Sequence, residues 1–383
     1  MQCTWIRLYA TAAIMIFGLT GCPNNVIPEI PWHGKQSIET EGDVGSYISL
    51  HSNGPNLNVS FYDSTNSDLK FTYSEDEGAT WPADYIKTVD SAGDVGQFVD
   101  MDGAYIAYYD NTNRDLKFAK CEVDFSGNWT WAVRTVDSAG DIGQSPSIST
   151  YGSYVYISYY DATAGVLNGD LKFARSDDGG ATWPAGNIQT VDSTGAVGVA
   201  TSLAVDGEGR VFIAYFDYTH GDLKFASSPG SEWPIDIGTI KAIDSAGFVG
   251  GGPDLAVDIS DDSLYVTYYD STNGNLKLAK STDHGATWTS GTVDSAGDVG
   301  VSPSIAVFNG TVYICYRDVT NASLKMARST DGGATGDIQT VDTGNVGSSS
   351  AIAFHDTTVF IVYYDASNGD LKFAKSIDGG ATW

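Results

Sequence analysis

One aspartate recurs in this chain in a setting that could bind or break a glycosidic bond. Seven times it closes a triplet that is Tyr-Tyr-Asp or a near variant, at Asp63, Asp110, Asp161, Asp217, Asp270, Asp318 and Asp365. Two carboxyl groups flanking one sugar can serve as acid and as nucleophile or base, and tyrosine rings beside them can stack on its C–H face. The loops that follow, such as Asp270 to Asn275 and Asp365 to Asp370, are rich in oxygen atoms and suit calcium. They lack the full twelve-residue calcium pattern with its closing Glu, and the chain's 5 histidines contain no pair at ligand spacing, so no metal set can be drawn. Carboxylates gathered this closely repel one another unless cations balance them. Lys70, Lys117, Lys172, Lys224, Lys277, Lys325 and Lys372, one per triplet, are expected to pair with them. Symmetry breaks at a few places where a single ligand site would differ from scaffold. A longer loop runs from Thr163 to Asn168, Tyr218 and His220 enter the fourth loop, Arg317 replaces a tyrosine, and Phe248 stands where other units carry Asp.

The elements that position these residues follow from the spacing. Successive triplet aspartates lie 47, 51, 56, 53, 48 and 47 residues apart, a period that signals a solenoid or a propeller. Each unit divides into four alternating apolar stretches separated by turn residues; the second unit has them at Gln97 to Asp102, Ala104 to Tyr109, Asp115 to Lys120 and Thr130 to Asp137. Four short strands per unit, repeated seven times, predict an all-β fold, a seven-bladed β-propeller of four-stranded antiparallel blades. The last unit stops at Trp383 after its third strand, and Ser37 to Gly45 matches the fourth-strand pattern of Thr88 to Gly96. The N-terminal strand is therefore expected to complete the last blade and close the ring.

After most third strands stands Ser-x-Asp-x-Gly-x-Thr-Trp, intact at Ser74–Trp81, Ser176–Trp183, Ser281–Trp288 and Ser376–Trp383, and lacking only its Trp at Ser329 to Gly336. Here residues 36–383 resemble the Asp-box, or bacterial neuraminidase repeat, family of sialidase-like propellers. The resemblance implies that Asp76, Asp178, Asp283, Asp331 and Asp378 are structural and lie on the face opposite any active site. The turn itself supports this: a carboxylate accepts N–H groups of its own loop, and Gly supplies the left-handed residue. Sialidases, the best-known members, clamp the substrate carboxylate with three arginines and attack with a tyrosine activated by a glutamate. Of the seven arginines here, only Arg114 and Arg317 fall near the opposite, upper face, and the Arg-Ile-Pro signature is absent. A sialidase of that kind is disfavoured, and no catalytic residue is assigned.

The N-terminal residues look like an address. Residues 1–21 hold Arg7 and an apolar run from Leu8 to Leu19, too short to span a bilayer, ending in Leu19-Thr20-Gly21-Cys22. That ending resembles a bacterial lipobox, which implies a lipoprotein signal peptide, acylation of Cys22, and a linker over 22–35. Pro23 in place of Asp favours the outer membrane within the cell envelope. Cys121 and Cys315 fall in blades two and six, too far apart to bridge, and are expected in the core. The 48 acidic against 20 basic residues, a net charge of −28, exclude nucleic acid as a partner and leave the acyl chains as the only membrane contact. The expected function is non-catalytic binding of an extracellular glycan or protein through the upper face. A glycoside hydrolase using upper-face carboxylates and a structural surface spacer are the alternatives.

Overall fold

The computed structural model describes residues 33–123, 129–228, 240–333 and 336–383. The signal segment, Cys22 and most of the linker lie outside the described residues. Twenty-eight strands form seven four-stranded antiparallel sheets arranged as the blades of a propeller. Six blades are consecutive in sequence. The seventh lays Gly34–Glu39 beside Asp370–Ser376, with Gln36 opposite Phe373 and Ser37 opposite Lys372. Among the described residues, helix is confined to two single turns, Ala83–Tyr85 and Ala185–Asn187.

Burial falls from the middle of each blade outward, and composition follows it. The second strand of the fourth blade, Val211–Asp217, is buried at every residue because neighbouring blades cover both of its faces. An outermost strand such as Thr289–Asp294 is exposed over most of its length and carries Thr, Ser and Gly. Between blades, large side chains interleave: Phe118 of the second blade packs with Ile148, Ile157 and Ala174 of the third. Cys121 and Cys315 are free thiols.

Two glycines set the spacing. Gly143, in the Ile-Gly step that starts an innermost strand, has φ +99°, and a Cβ there would lie 2.5 Å from the Cα of Leu116 in the preceding blade. Gly180 belongs to a Ser-x-Asp turn, and its Cβ would strike the Phe118 ring at 2.3 Å. That turn is locked by its own side chains. Asp178 accepts from Ser176 Oγ at 2.7 Å, Thr182 N at 2.9 Å and Thr182 Oγ1 at 2.7 Å. These bonds, the Thr182 hydroxyl foremost, hold the Asp178 carboxyl down to about 2. Trp183 follows and sets its ring edge-on against Phe118 at 5.2 Å. The same bonds recur at Asp76, Asp283 and Asp378. Asp331 keeps the serine contact, 2.6 Å from Ser329 Oγ.

Candidate functional site

The triplet aspartates lie under their loops. Asp63, Asp110, Asp217, Asp270, Asp318 and Asp365 are each no more than 4% exposed, and Asp161 is half-buried. Each carboxylate is taken up by the turn it begins. Asp110 accepts the Asn113 N–H at 2.9 Å and its side-chain amide at 2.8 Å, and Asp63, Asp270 and Asp318 repeat the pattern with Asn66, Asn273 and Asn321. Such Asx turns leave the loop's tip, not its aspartate, facing solvent.

The lysines reach further than their own triplet. Lys117 Nζ lies 2.6 Å from Asp90 and 3.7 Å from Asp110. Asp90 ends the outermost strand of the preceding blade and also accepts the Tyr108 hydroxyl at 2.7 Å. Six of the seven lysines join two blades in this way, while Lys70 pairs with Asp63 of its own blade at 3.2 Å. The bridge recurs with Asp137, Asp192, Asp244, Asp294 and Asp342, each accepting from the lysine and first tyrosine of the next blade. Burial alone would raise the Asp90 carboxyl; Lys117 and Tyr108 outweigh it and hold the group below its ordinary range.

Inside the ring, the seven innermost strands enclose an axial cavity of about 820 Å³ that reaches Asp43, Ser64 and Tyr364 at the upper rim. Its wall carries a hydrogen-bonded belt. Five residues after the Val or Ile that starts each innermost strand, a side-chain oxygen accepts an amide N–H of the next blade. Ser49 takes Met101 N at 3.1 Å, Asp100 takes Ile148 N at 2.8 Å, Ser147 takes Leu203 N at 3.0 Å and Ser202 takes Leu255 N at 3.0 Å. Asp254 takes Ile305 N at 2.8 Å and Ser304 takes Ile352 N at 3.4 Å. The seventh position is Ala351, and Ser349 Oγ closes the belt by accepting Ile48 N at 3.0 Å. Sequence reasoning missed Asp100 and Asp254. Aligning the seven Val-Gly or Ile-Gly steps would have exposed them, since Asp interrupts a column of Ser.

One side of this cavity is aromatic. Tyr47 and Tyr364 line it, and Phe98 supports Tyr47 at 4.7 Å between ring centroids. Tyr47 and Phe98 both have left-handed backbone, with φ 51° and 52°, costly for bulky side chains; the same bulge position is left-handed at Ser145 and Ser302. Elsewhere the lining is hydroxyl-rich, with Ser46, Ser302 and Ser348 turned to the lumen. Among the described residues, the lining holds three carboxylates and no Lys, Arg or His.

Burial pushes the Asp254 carboxyl up to about 6, and the negative charge of Asp100 adds to the rise against the bonds from Ile305 N and Ser202. Asp100 is raised for the same first reason. A carboxyl whose folded value exceeds its unfolded value binds its proton more tightly in the native state. Stability from this group is therefore fully present below about pH 4 and falls as pH rises to 6. A rise from 3.8 to about 6 is worth at most about 3 kcal/mol, at roughly 1.4 kcal/mol per unit. Asp254→Asn should therefore stabilise the protein by about 1–3 kcal/mol at pH 8 and not at pH 4. Urea midpoints of both proteins at each pH check this; a constant difference between them would refute it.

The remaining sequence-predicted residues sit on the upper rim. Arg317 donates to Val346 O at 2.9 Å and Asn345 Oδ1 at 2.7 Å. His220 holds Asp217 at 2.9 Å through Nδ1, and Tyr218 is 42% exposed. Among the described residues no group of three or more His, Cys, Asp and Glu is arranged to hold a metal ion.

No family model matches the chain, and no curated protein matches it. Solved structures share its fold at low identity. A protein of unknown function from Dyadobacter fermentans is 13% identical, with 89% of this chain and 97% of that chain covered at a TM-score of 0.51. A Trypanosoma rangeli sialidase in complex with 2,3-difluorosialic acid is 12% identical, with 87% of this chain and 54% of that one covered, again at 0.51. A Hadza microbial sialidase is 15% identical over 85% of this chain and 74% of its own, with a TM-score of 0.49. The likeness is one of fold: a sialidase-like β-propeller.

Proposed function

We propose that this propeller binds, without cleaving, a neutral glycan in its axial cavity, at the surface of a bacterial envelope to which acylated Cys22 tethers it. The observation that carries the reading is the lining: two tyrosine rings, a wall of hydroxyls, and carboxylates with no cation among them. Tyrosine rings stack on sugar C–H faces, and hydroxyls exchange hydrogen bonds with sugar hydroxyls. A sialoside carboxylate would meet Asp43, Asp100 and Asp254 instead of an arginine clamp. Gly34 pairs with Lys375, beside the Ser376 turn, so the closing strand begins at the lower face of the propeller. Twelve residues from Cys22 to Gly34 allow at most about 40 Å of reach.

A second reading, glycoside hydrolysis, draws on Asp254 near 6 beside the raised Asp100, since unequal carboxyls in one cavity can divide acid and base roles. Against it, belt serines and backbone N–H groups already occupy both carboxylates.

Residues 23–383 should be screened on a glycan array with and without calcium. Binding of neutral glycans but not sialosides, weakened at least about tenfold by Tyr47→Ala, is the expected outcome. Turnover of a fluorogenic glycoside that disappears in Asp254→Asn would replace the binding reading with the hydrolase.

A further inference from the structure

Around the upper rim, six blades match the second residue of the triplet to a residue in the loop leading to the next blade. In the sixth blade Arg317 donates to Asn345 Oδ1 at 2.7 Å, and in four others a tyrosine meets an aspartate. Tyr62 donates to Asp94 at 2.7 Å, Tyr109 to Asp141 at 2.7 Å, Tyr269 to Asp298 at 2.7 Å and Tyr364 to Asp43 at 2.6 Å. The fourth blade changes both partners together. Phe216 replaces the tyrosine and Phe248 the aspartate, with ring centroids 5.2 Å apart and planes at 80°. A third ring joins them where the first and fifth blades carry Ser64 and Ser271: Tyr218 stands 6.0 Å from Phe216 and 5.5 Å from Phe248, nearly perpendicular to each. Phe216 is 6% exposed and props the pair, while Tyr218 and Phe248 are each 42% exposed.

A fourth position changes with them. Where five blades use an asparagine amide to hold the triplet aspartate, this one uses His220. Asp217 accepts at 2.9 Å, so Nδ1 carries the proton and Nε2 is left to solvent. The neighbouring Gly221 keeps this edge against Phe248, since a Cβ there would lie 2.7 Å from the Phe248 ring. Four substitutions that fit one another in one blade build a surface that the other six lack.

We propose that Tyr218 and Phe248 form a stacking platform for a pyranose ring, with His220 Nε2 bonding a sugar hydroxyl. It is a carbohydrate subsite distinct from the axial cavity, and it rests on the glycan-binding reading above. Size chooses the ligand class. Two side chains that bury about 150–250 Å² each when covered, and are 42% exposed here, offer roughly 130–210 Å² of surface. That area suits one face of a sugar ring and falls well short of the ~800 Å² per partner of a stable protein interface. A net charge of −28 and the nearby Asp222 disfavour an anionic ring. Perpendicular rings present a face and an edge to the same occupant, a corner in which a chair-shaped ring is held on two sides.

The test restores what other blades already contain. A triple variant, Phe216→Tyr, Tyr218→Ser and Phe248→Asp, reproduces the Tyr62, Ser64, Asp94 arrangement of the first blade, so it should fold with an unchanged melting temperature. Neutral hexasaccharides of the α-glucan, β-glucan, chitin and xylan series are titrated into residues 23–383, which carry all seven blades. The readouts are calorimetry and the 19F signal of 4-fluorophenylalanine incorporated at position 248. The expected result is a shifted 19F signal with at least one series and a loss of at least about tenfold in affinity for it in the triple variant. Hexasaccharide binding that depends on Tyr47, with an unmoved 19F signal and full affinity in the triple variant, would overturn the platform and leave the cavity reading standing. Absence of binding to any series would overturn both. A 19F shift with apolar decapeptides and none with saccharides would also overturn the platform, in favour of a peptide.

Discussion

Replacing Ile38 by Asp should open the ring, at a cost of about 3–5 kcal/mol. The chain is continuous from one blade to the next everywhere except inside the seventh, where only the pairing of Gly34–Glu39 with Asp370–Ser376 joins its two ends. Ile38 is 7% exposed and belongs to a cluster with Leu371, Phe373, Phe61 and Val44, so it joins the closing strand to the last and first blades alike. A carboxylate there would be buried with no cation to meet it. The polar bridge found at six junctions is missing at this seventh one. Phe61 stands where the bridging tyrosine would, Glu39 where the aspartate would, and Glu39 turns back to accept Thr40 N and Glu41 N at 2.8 Å. Apolar packing therefore bears more of the load here than elsewhere. Urea denaturation at constant m-value measures the effect, with Thr40→Asp, an exposed site on the same segment, as control within about 0.5 kcal/mol. Equal midpoints for Ile38→Asp and Thr40→Asp would mean that the strand does not hold the ring shut.

The second large effect is expected at a lysine bridge. Asp137→Ala removes the acceptor of Lys172 Nζ at 2.8 Å, a side chain 14% exposed, and of the buried Tyr159 Oη at 2.8 Å. The lysine keeps Asp161, at 3.6 Å, and the face of the Tyr159 ring, 5.8 Å from its centroid. Leaving a half-buried ammonium and a buried hydroxyl with so little compensation should cost about 2–3 kcal/mol at pH 7. The sign with pH is opposite to that of Asp254. Burial would raise the Asp137 carboxyl, but Lys172 and Tyr159 hold it below the unfolded value. Its stabilisation is thus present above about pH 4 and is lost as pH falls through the lowered folded value. The destabilisation by Asp137→Ala should be full at pH 7 and shrink toward pH 2. Adding Lys172→Leu should recover much of the loss, because a buried pair removed whole is far less costly than one broken. A double-mutant cycle that found the two substitutions additive would show that the bridge does not couple the blades.

Much of the architecture was legible before any coordinates. The period of about 50 residues, the four alternating stretches and the match of Ser37 to Gly45 with a fourth strand predicted seven blades and their closure. Those features are local or repeated, and repetition averages out the ambiguity of any one strand. The Ser-x-Asp turns were equally plain, because every bond that Asp178 makes lies within four residues of it.

Tertiary structure decided which carboxylates face what. The lysines were expected to serve the triplet aspartates, 7 residues before them in six units and 11 in the third, yet Lys117 sits closer to Asp90 of the preceding blade. That choice depends on how two separate sheets stack, which no spacing along one chain reveals. The cavity belt was hidden for a related reason. Side chains alternate across a strand only until a bulge intervenes, and the innermost strands shift register after their Val-Gly steps, with Tyr47 and Phe98 left-handed at the shift. One added residue moves every later side chain to the other face, and this carries Asp100 and Asp254 onto the cavity wall. Residue order by itself determined the repeat, the strands and the closure, because these follow from periodicity and short-range turn chemistry. Only the closed ring decided which polar groups line its axis, because their partners are brought together by blades about 50 residues apart.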